Sequence, residues 1–221
     1  MDWQSFILSL ELAAITLAVL LPLGLWLARW LAKTTFAGKS LIEAAVVLPL
    51  VLPPTVLGYY LLVSLGADST FGRWMLESFD IRLTFNFLGL LIASVIFNIP
   101  FMVQPIQRAF EAIPVNLAEA AAVSGLSKWQ TFLRVELPLA WPGILSAMVL
   151  TFVHTLGEFG VVLMMGGSIP GETKTIAISI YDRVQAFDLA SADQMALTLL
   201  MLSIVAVAAS FFATARILKT R

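Results

Sequence analysis

Five stretches of this chain, at about 6–31, 41–65, 85–110, 139–165 and 195–218, are each long and apolar enough to cross a bilayer as one helix. A helix needs roughly 20 mostly apolar residues to span the hydrocarbon core. Inside lipid every backbone N–H and C=O must be paired within the protein, which helices achieve segment by segment. The expected fold class is therefore an all-α membrane protein, five transmembrane helices in one domain over 1–221. Composition agrees. Hydrophobic residues make up 60% and charged residues 12%, where a soluble domain is nearer half and a quarter. Mean hydropathy is +0.94.

Several function classes fall away. A net charge of -1 argues against nucleic acid. The absence of cysteine removes disulfides, thiol catalysis and thiolate metal sites. The single histidine, His154, excludes zinc motifs that need two, and no metal site is expected. The start, Met1-Asp2-Trp3, has no basic region, and its apolar stretch outruns a signal peptide's core, so it is expected to be the first span.

Basic residues set the expected orientation. With the N-terminus outside, Arg29, Lys33, Lys39, Arg108, Lys128, Arg134, Arg216, Lys219 and Arg221 fall on the cytosolic side, nine of the 13 Lys and Arg. Arg73, Arg82, Lys174 and Arg183 fall outside. That is the bias that orients membrane proteins. It puts residues 114–138 and the C-terminus in the cytosol.

Residues 114–138 are too polar to span and read as a two-helix hairpin. Asn116 is expected to be an N-cap, with Glu119 three residues on completing a capping box. Alanines 118, 120, 121 and 122 favour helix. Gly125 suits the left-handed position that ends a helix. Ser127 and Gln130 form a second box, and the second helix is expected to stop before Pro138. Glu119 and the alanines either cap and pack the hairpin or let another protein approach its backbone.

Polar groups inside spans are costly and invite functional readings. Asn98, Gln104 and Thr155 are candidates for lining a path; the alternative is that they bind helix to helix. His154 reads as a hydrogen-bonded packing residue. Glu158, about 25 Å of helix beyond Trp141, is expected near the outer surface in a structural role, as is Glu11. Pro49, Pro53 and Pro54, with Thr55, mark a candidate gate, because prolines bend helices and free carbonyls; curvature for packing is the alternative. After span four, a loop at 166–173 leads into an amphipathic stretch with Ile176, Ile180, Val184 and Phe187 on one face, expected to be a short helix at the outer interface.

The hairpin carries Glu119-Ala120-Ala121, three residues, Gly125, nine residues, then Val135-Glu136-Leu137-Pro138. This resembles the Glu-Ala-Ala loop of permease subunits of binding-protein-dependent ABC importers of type I. The family pattern has Ile where this chain has Val135. Thr35 to Lys39, Leu48 to Pro54 with Gly58-Tyr59, Leu156 to Gly160, and Ile169 to Thr173 with Thr175-Ile176 make the resemblance closest to molybdate permeases. Sulfate and thiosulfate permeases share the Gly-Glu-Phe-Gly element but are usually longer; these, or a tungstate permease, are the alternatives. The resemblance implies a bacterial inner-membrane subunit that pairs with a second copy and binds two ATP-hydrolysing subunits. It also implies a periplasmic oxyanion-binding protein. Asn116, Leu117, Ala118, Glu119, Ala120, Ala121, Gly125, Leu137 and Pro138 would make the coupling site. ATP and Mg would bind the partner, and no cofactor this chain. A phosphate-cradling Gly-x-x-x-x-Gly-Lys-Ser/Thr loop is absent from the sequence.

Two other classes compete. A secondary transporter needs an ionisable relay at mid-membrane, for which only His154, Glu158 and Glu11 are available. An intramembrane enzyme needs a nucleophile and base on recognisable spacing, which the sequence does not show.

Overall fold

The computed structural model describes residues 1–219, the side chains of 118, 122 and 217–219 excepted. Arg221, one of the nine cations assigned to the cytosol, lies outside the described residues, as do the side chains of Lys219 and Ala118.

Every element among the described residues is a helix. In order come α1 (Trp3–Lys33), α2 (Lys39–Val51), α3 (Pro54–Leu65), α4 (Thr70–Phe79) and α5 (Phe87–Glu111). Then follow α6 (Val115–Val123), α7 (Lys128–Thr131), a π-helical turn (Phe132–Glu136), α8 (Leu137–Gly157), α9 (Gly160–Gly166), α10 (Ile176–Gln185) and α11 (Leu189–Lys219). Polar side chains mark the starts: Asp2, Ser69, Asn86 and Thr175 each accept from a backbone N–H in the first turn of the helix they precede.

Among the described residues four helices are long and apolar enough to cross a membrane, and α2 with α3 makes a fifth if the pair, bent by 108°, is counted as one span. The expected straight second span is thus broken. Leu52 is extended at ψ 138° and Pro53 at ψ 134°. A residue before proline is pushed out of the helical region, and two successive prolines offer no N–H to continue the ladder. The expected fourth span, 139–165, is also interrupted. Glu158 is extended at ψ 127°, and α9 starts afresh at Gly160. The helix α4 lies between the second and third expected spans.

The centre of the bundle is α5, packed on α1, α8 and α2; α8 also meets α1 and α11, and α3 packs on α9. At the α3–α9 contact, Gly58 admits the neighbouring backbone. A Cβ there would sit 2.7 Å from Met164 Cβ and 3.2 Å from the Cα of Val161.

Among the described residues, Leu57, Ala93, Phe97, Val161 and Met165 pack α3 and α9 onto α5, and two further apolar clusters lie one above the other. Leu20, Ala28, Met102, Ile106, Ile144 and Ala147 fill the half nearer the hairpin. Leu8, Leu12, Leu90, Val162 and Ile178 fill the other half. Between them, Thr16 of α1 and Ser94 and Asn98 of α5 form a buried polar layer.

Candidate functional site

The hairpin hangs from one end of the bundle. Its first helix, α6, starts at Val115, directly after Pro114, whose carbonyl accepts from the N–H of Leu117 at 3.1 Å. Proline's fixed φ lets a helix begin beside it. Asn116 is therefore inside the helix rather than its N-cap, and the expected capping box with Glu119 does not form. Glu119 is exposed.

The joint between the two helices follows the sequence reading. Gly125 adopts φ +75°, and the N–H of Leu126 donates to the carbonyl of Ala121 at 3.1 Å. That is the closure expected at a left-handed helix end. Ser127 caps α7, and Gln130 returns the hydrogen bond to the N–H of Ser127 at 2.9 Å.

The second helix does not stop before Pro138. It continues through the π turn into α8, so that 128–157 is one rod. The N–H of Leu137 donates five residues back, to Phe132. This wider turn aligns Thr131 with Glu136, both buried, and from Glu136 the buried line runs on through Ala140 and Ile144. π turns recur at functional sites.

Glu136 is the residue the sequence reading passed over. It is 3% exposed, yet takes a 2.7 Å bond from Arg29 Nε and another from Lys33 Nζ, both at the end of α1. The Arg29 guanidinium also lies 4.9 Å from the ring centre of Phe132. One arginine thus spans both ends of the π turn. A second charged group sits beside it: Lys39 of α2 meets Glu43 and Glu111, and Gln107 donates to both carboxylates. The basic pair Arg29 and Lys33, four residues apart on one helical face, was the available signal.

The hairpin's other surface is apolar and open. Val123 is 91% exposed and Trp129 67%, beside Val115, Leu117 and Leu133. Ala120 and Pro138 are exposed, Leu137 is half-buried and Ala121 is buried.

In mid-bundle, the polar layer is closed by Glu158. Ser94 Oγ donates to Glu158 Oε2 at 3.1 Å, and Asn98 Nδ2 reaches the same oxygen at 3.3 Å. Thr16 Oγ1 donates to Ser94 Oγ at 3.2 Å. His154 Nδ1 lies 3.0 Å from Asn98 Oδ1, its ring stacked on Phe101. Glu158 is therefore not near the outer surface. The rod that carries it starts at Lys128, and Thr16 lies near the middle of α1. Asn98 and Thr155, with 0% and 2% exposure, bond within the protomer; Thr155 donates to the carbonyl of Thr151 at 2.8 Å. Asn98 ties α5 to the end of α8, whereas Thr155 bonds within its own helix. Gln104 is half-buried. Glu11 faces outward from α1 with no partner among the described residues.

Of the candidate gate, Pro53, Pro54 and Thr55 are exposed at the α2–α3 break, and Pro49 is buried. At the end opposite the hairpin, a cleft of about 1010 Å³ is lined by Asp68, Ser69, Arg82, Asn86 and Glu172. The expected helix after the 166–173 loop is α10. Ile176, Ile178 and Ser179 are its buried residues, while Val184 and, beyond its end, Phe187 are exposed. No cluster of metal-ligating side chains occurs among the described residues.

A family model described as the binding-protein-dependent transport system inner membrane component matches residues 20–220. The chain belongs to that family. It is a membrane permease, similar over most of its length to proteins of known transport systems. The molybdenum transport system permease protein ModB of Azotobacter vinelandii is 48% identical, covering 88% of this chain and 86% of that one. ModB of Escherichia coli K12 is 39% identical over 83% of the permease and 80% of its own length. The sulfate transport system permease protein CysT of the same strain is 34% identical over 82% of the permease and 65% of CysT. Among solved structures, a bacterial ABC transporter that imports alginate shares the fold: TM-score 0.79, 20% identity, 96% of the permease and 78% of that chain.

Proposed function

We propose that this permease carries molybdate inward as half of a two-copy path, driven by separate ATP-hydrolysing subunits. The observation that carries the reading is the hairpin. It offers exposed apolar side chains beyond the bundle, and its second helix is one rod with α8. A push on that surface reaches the polar layer without crossing a flexible joint. The identity to two ModB proteins supports molybdate as cargo, and the lower identity to CysT makes sulfate the second choice.

In this reading the hairpin end faces the cytosol and takes the ATP-binding partner at Leu117, Glu119, Ala120 and Gly125. ATP and Mg bind that partner, and this chain supplies no catalytic group. A periplasmic oxyanion-binding protein delivers its anion at the opposite end, where the large cleft opens. The exposed break at Pro53, Pro54 and Thr55 serves as gate when two copies face each other.

The test is reconstitution with co-expressed partners in proteoliposomes. Labelled molybdate should enter only with ATP inside the partners' compartment and the binding protein opposite, and excess sulfate should compete weakly. Glu119→Lys should leave the chain in the membrane and lower recovery of the ATPase subunit, because Glu119 is exposed and caps nothing. Uptake that follows a proton gradient without ATP overturns the reading.

A further inference from the structure

We propose that Glu136, held by Arg29 and Lys33, is the positioning residue through which α1 follows the coupling hairpin. The proposal rests on the reading above, that a partner pushes this hairpin.

The mechanical problem is specific. Movement of α6 and α7 passes along the rod into α8 directly. The helix α1 ends at Lys33 and the rod begins only at Lys128, so no short stretch of chain links them. It nevertheless packs on α5 and α8, and through Thr16 it shares the polar layer with Ser94 and Glu158. If α8 moved alone, α1 would shear against it.

The Glu136 cluster joins the two at the hairpin end. Its carboxylate takes charge-assisted bonds from two cations on one face of α1, and such bonds are about twice as strong as neutral ones. The π turn brings this carboxylate into line with Thr131 and Ala140, the buried face. In an uninterrupted α-helix the part of the rod before the turn would be rotated by about 100°. Arg29, by also covering Phe132, grips the first residue of that turn as well as its last. The bond geometry is asymmetric in a useful way. Glu136 is 3% exposed, whereas Arg29 and Lys33 are 32% and 44% exposed. The cations therefore keep their hydration if the carboxylate is removed, and the fold survives its loss.

The experiment uses the full importer with its ATPase partners and binding protein in proteoliposomes. Glu136→Leu fills the same space without charge. Its ATPase subunits should co-purify at wild-type stoichiometry and ATP should still be hydrolysed. Anion imported per ATP should fall about fivefold or more, the lower end of usual coupling energies. Exchanging the charges, Glu136→Lys with Lys33→Glu and with Arg29→Gln so that no second cation faces the new lysine, restores an ion pair between positions 33 and 136 and should recover most of the imported anion per ATP. A Glu136→Leu importer with wild-type import per ATP overturns the proposal. So does a loss of import that the charge exchange leaves unrepaired, since a purely local packing defect would behave that way. A wild-type chain that recruits no ATPase overturns the parent reading instead, and this one with it.

Discussion

At Gly125 the fold depends on one backbone angle. A Cβ added there meets nothing within 4 Å, so a larger residue does not clash. Its penalty is conformational: φ +75° costs an ordinary residue about 1–2 kcal/mol. Gly125→Val should therefore leave the bundle inserted but splay α6 from α7, lowering uptake while chain level stays near wild type. Gly125→Asn, which tolerates this region, should retain most uptake. Equal uptake by the valine and wild-type chains, measured at matched membrane level, would remove the hairpin joint from the coupling. Asp2, at the other end, gives a pH-dependent case. Partial burial pushes its carboxyl up, but bonds from the Ser5 N–H and the Ser179 and Ser5 hydroxyls, with Lys174 nearby, outweigh this and hold it below 3.8. A carboxylate with a depressed folded value stabilises above its unfolded value, and the benefit is lost as pH falls through the folded one. Asp2→Asn should thus lower the unfolding temperature at neutral pH. Its deficit against wild type should shrink below about pH 4, measured in detergent by a dye-independent method such as tryptophan emission. A deficit that is constant with pH would assign the loss to packing.

Among the elements, long apolar runs were readable and their interruptions were not. Runs at 6–31, 85–110 and 195–218 became α1, α5 and α11 with ends shifted by a few residues. Residues 41–65 stay apolar through Leu52 and Pro53, so hydropathy sees one span where the backbone turns by 108°. The prolines marked the place but not the angle, which depends on how α3 packs against α9. Glu158 failed for a related reason. Counting residues from Trp141 gives a length along the helix, whereas depth depends on where the rod starts. Asn116 looked like a cap by residue type, and Pro114 took the boundary instead. The Glu136 cluster was hidden because its members lie 107 and 103 residues apart, and a lone acid before Leu-Pro looks like a solvated position. The π turn carries an element-scale prediction. Deleting Leu133 should convert it to α-helix and rotate the hairpin on α8 by about 100°. The chain should still fractionate with membranes, yet recover little ATPase in a pull-down. Full recovery would mean that the angle of the hairpin on the rod is not what the partner reads.

Across the whole molecule, charge and chain direction agree on orientation. Arg29, Lys33, Lys39, Arg108, Lys128 and Arg134 gather around the hairpin, while Arg73, Arg82, Lys174 and Arg183 belong to the other end. Four spans put both termini on one side of the membrane and five put them on opposite sides, so the path of α2 and α3 decides the topology. Contacts at each end favour crossing. The helix α2 starts at Lys39, paired with Glu111 beside the hairpin. The helix α3 ends at Leu65, which lines the same cleft as Arg82 and Glu172. A pair that enters at one end and leaves at the other is a span despite its bend, and at the break the Leu52 N–H still donates to Leu48 while the Pro53 carbonyl accepts from Val56 and Leu57. The expected result is a reporter after Ser69 that works only outside the cytosol, and one after Lys128 that works only inside it. An N-terminal tag should be labelled in intact spheroplasts, and a C-terminal one only after permeabilisation. A reporter after Ser69 active in the cytosol would make α2–α3 re-entrant and place both termini on one side. The cleft beside Arg82 would then face the ATPase side, which would end its role as the binding protein's docking site.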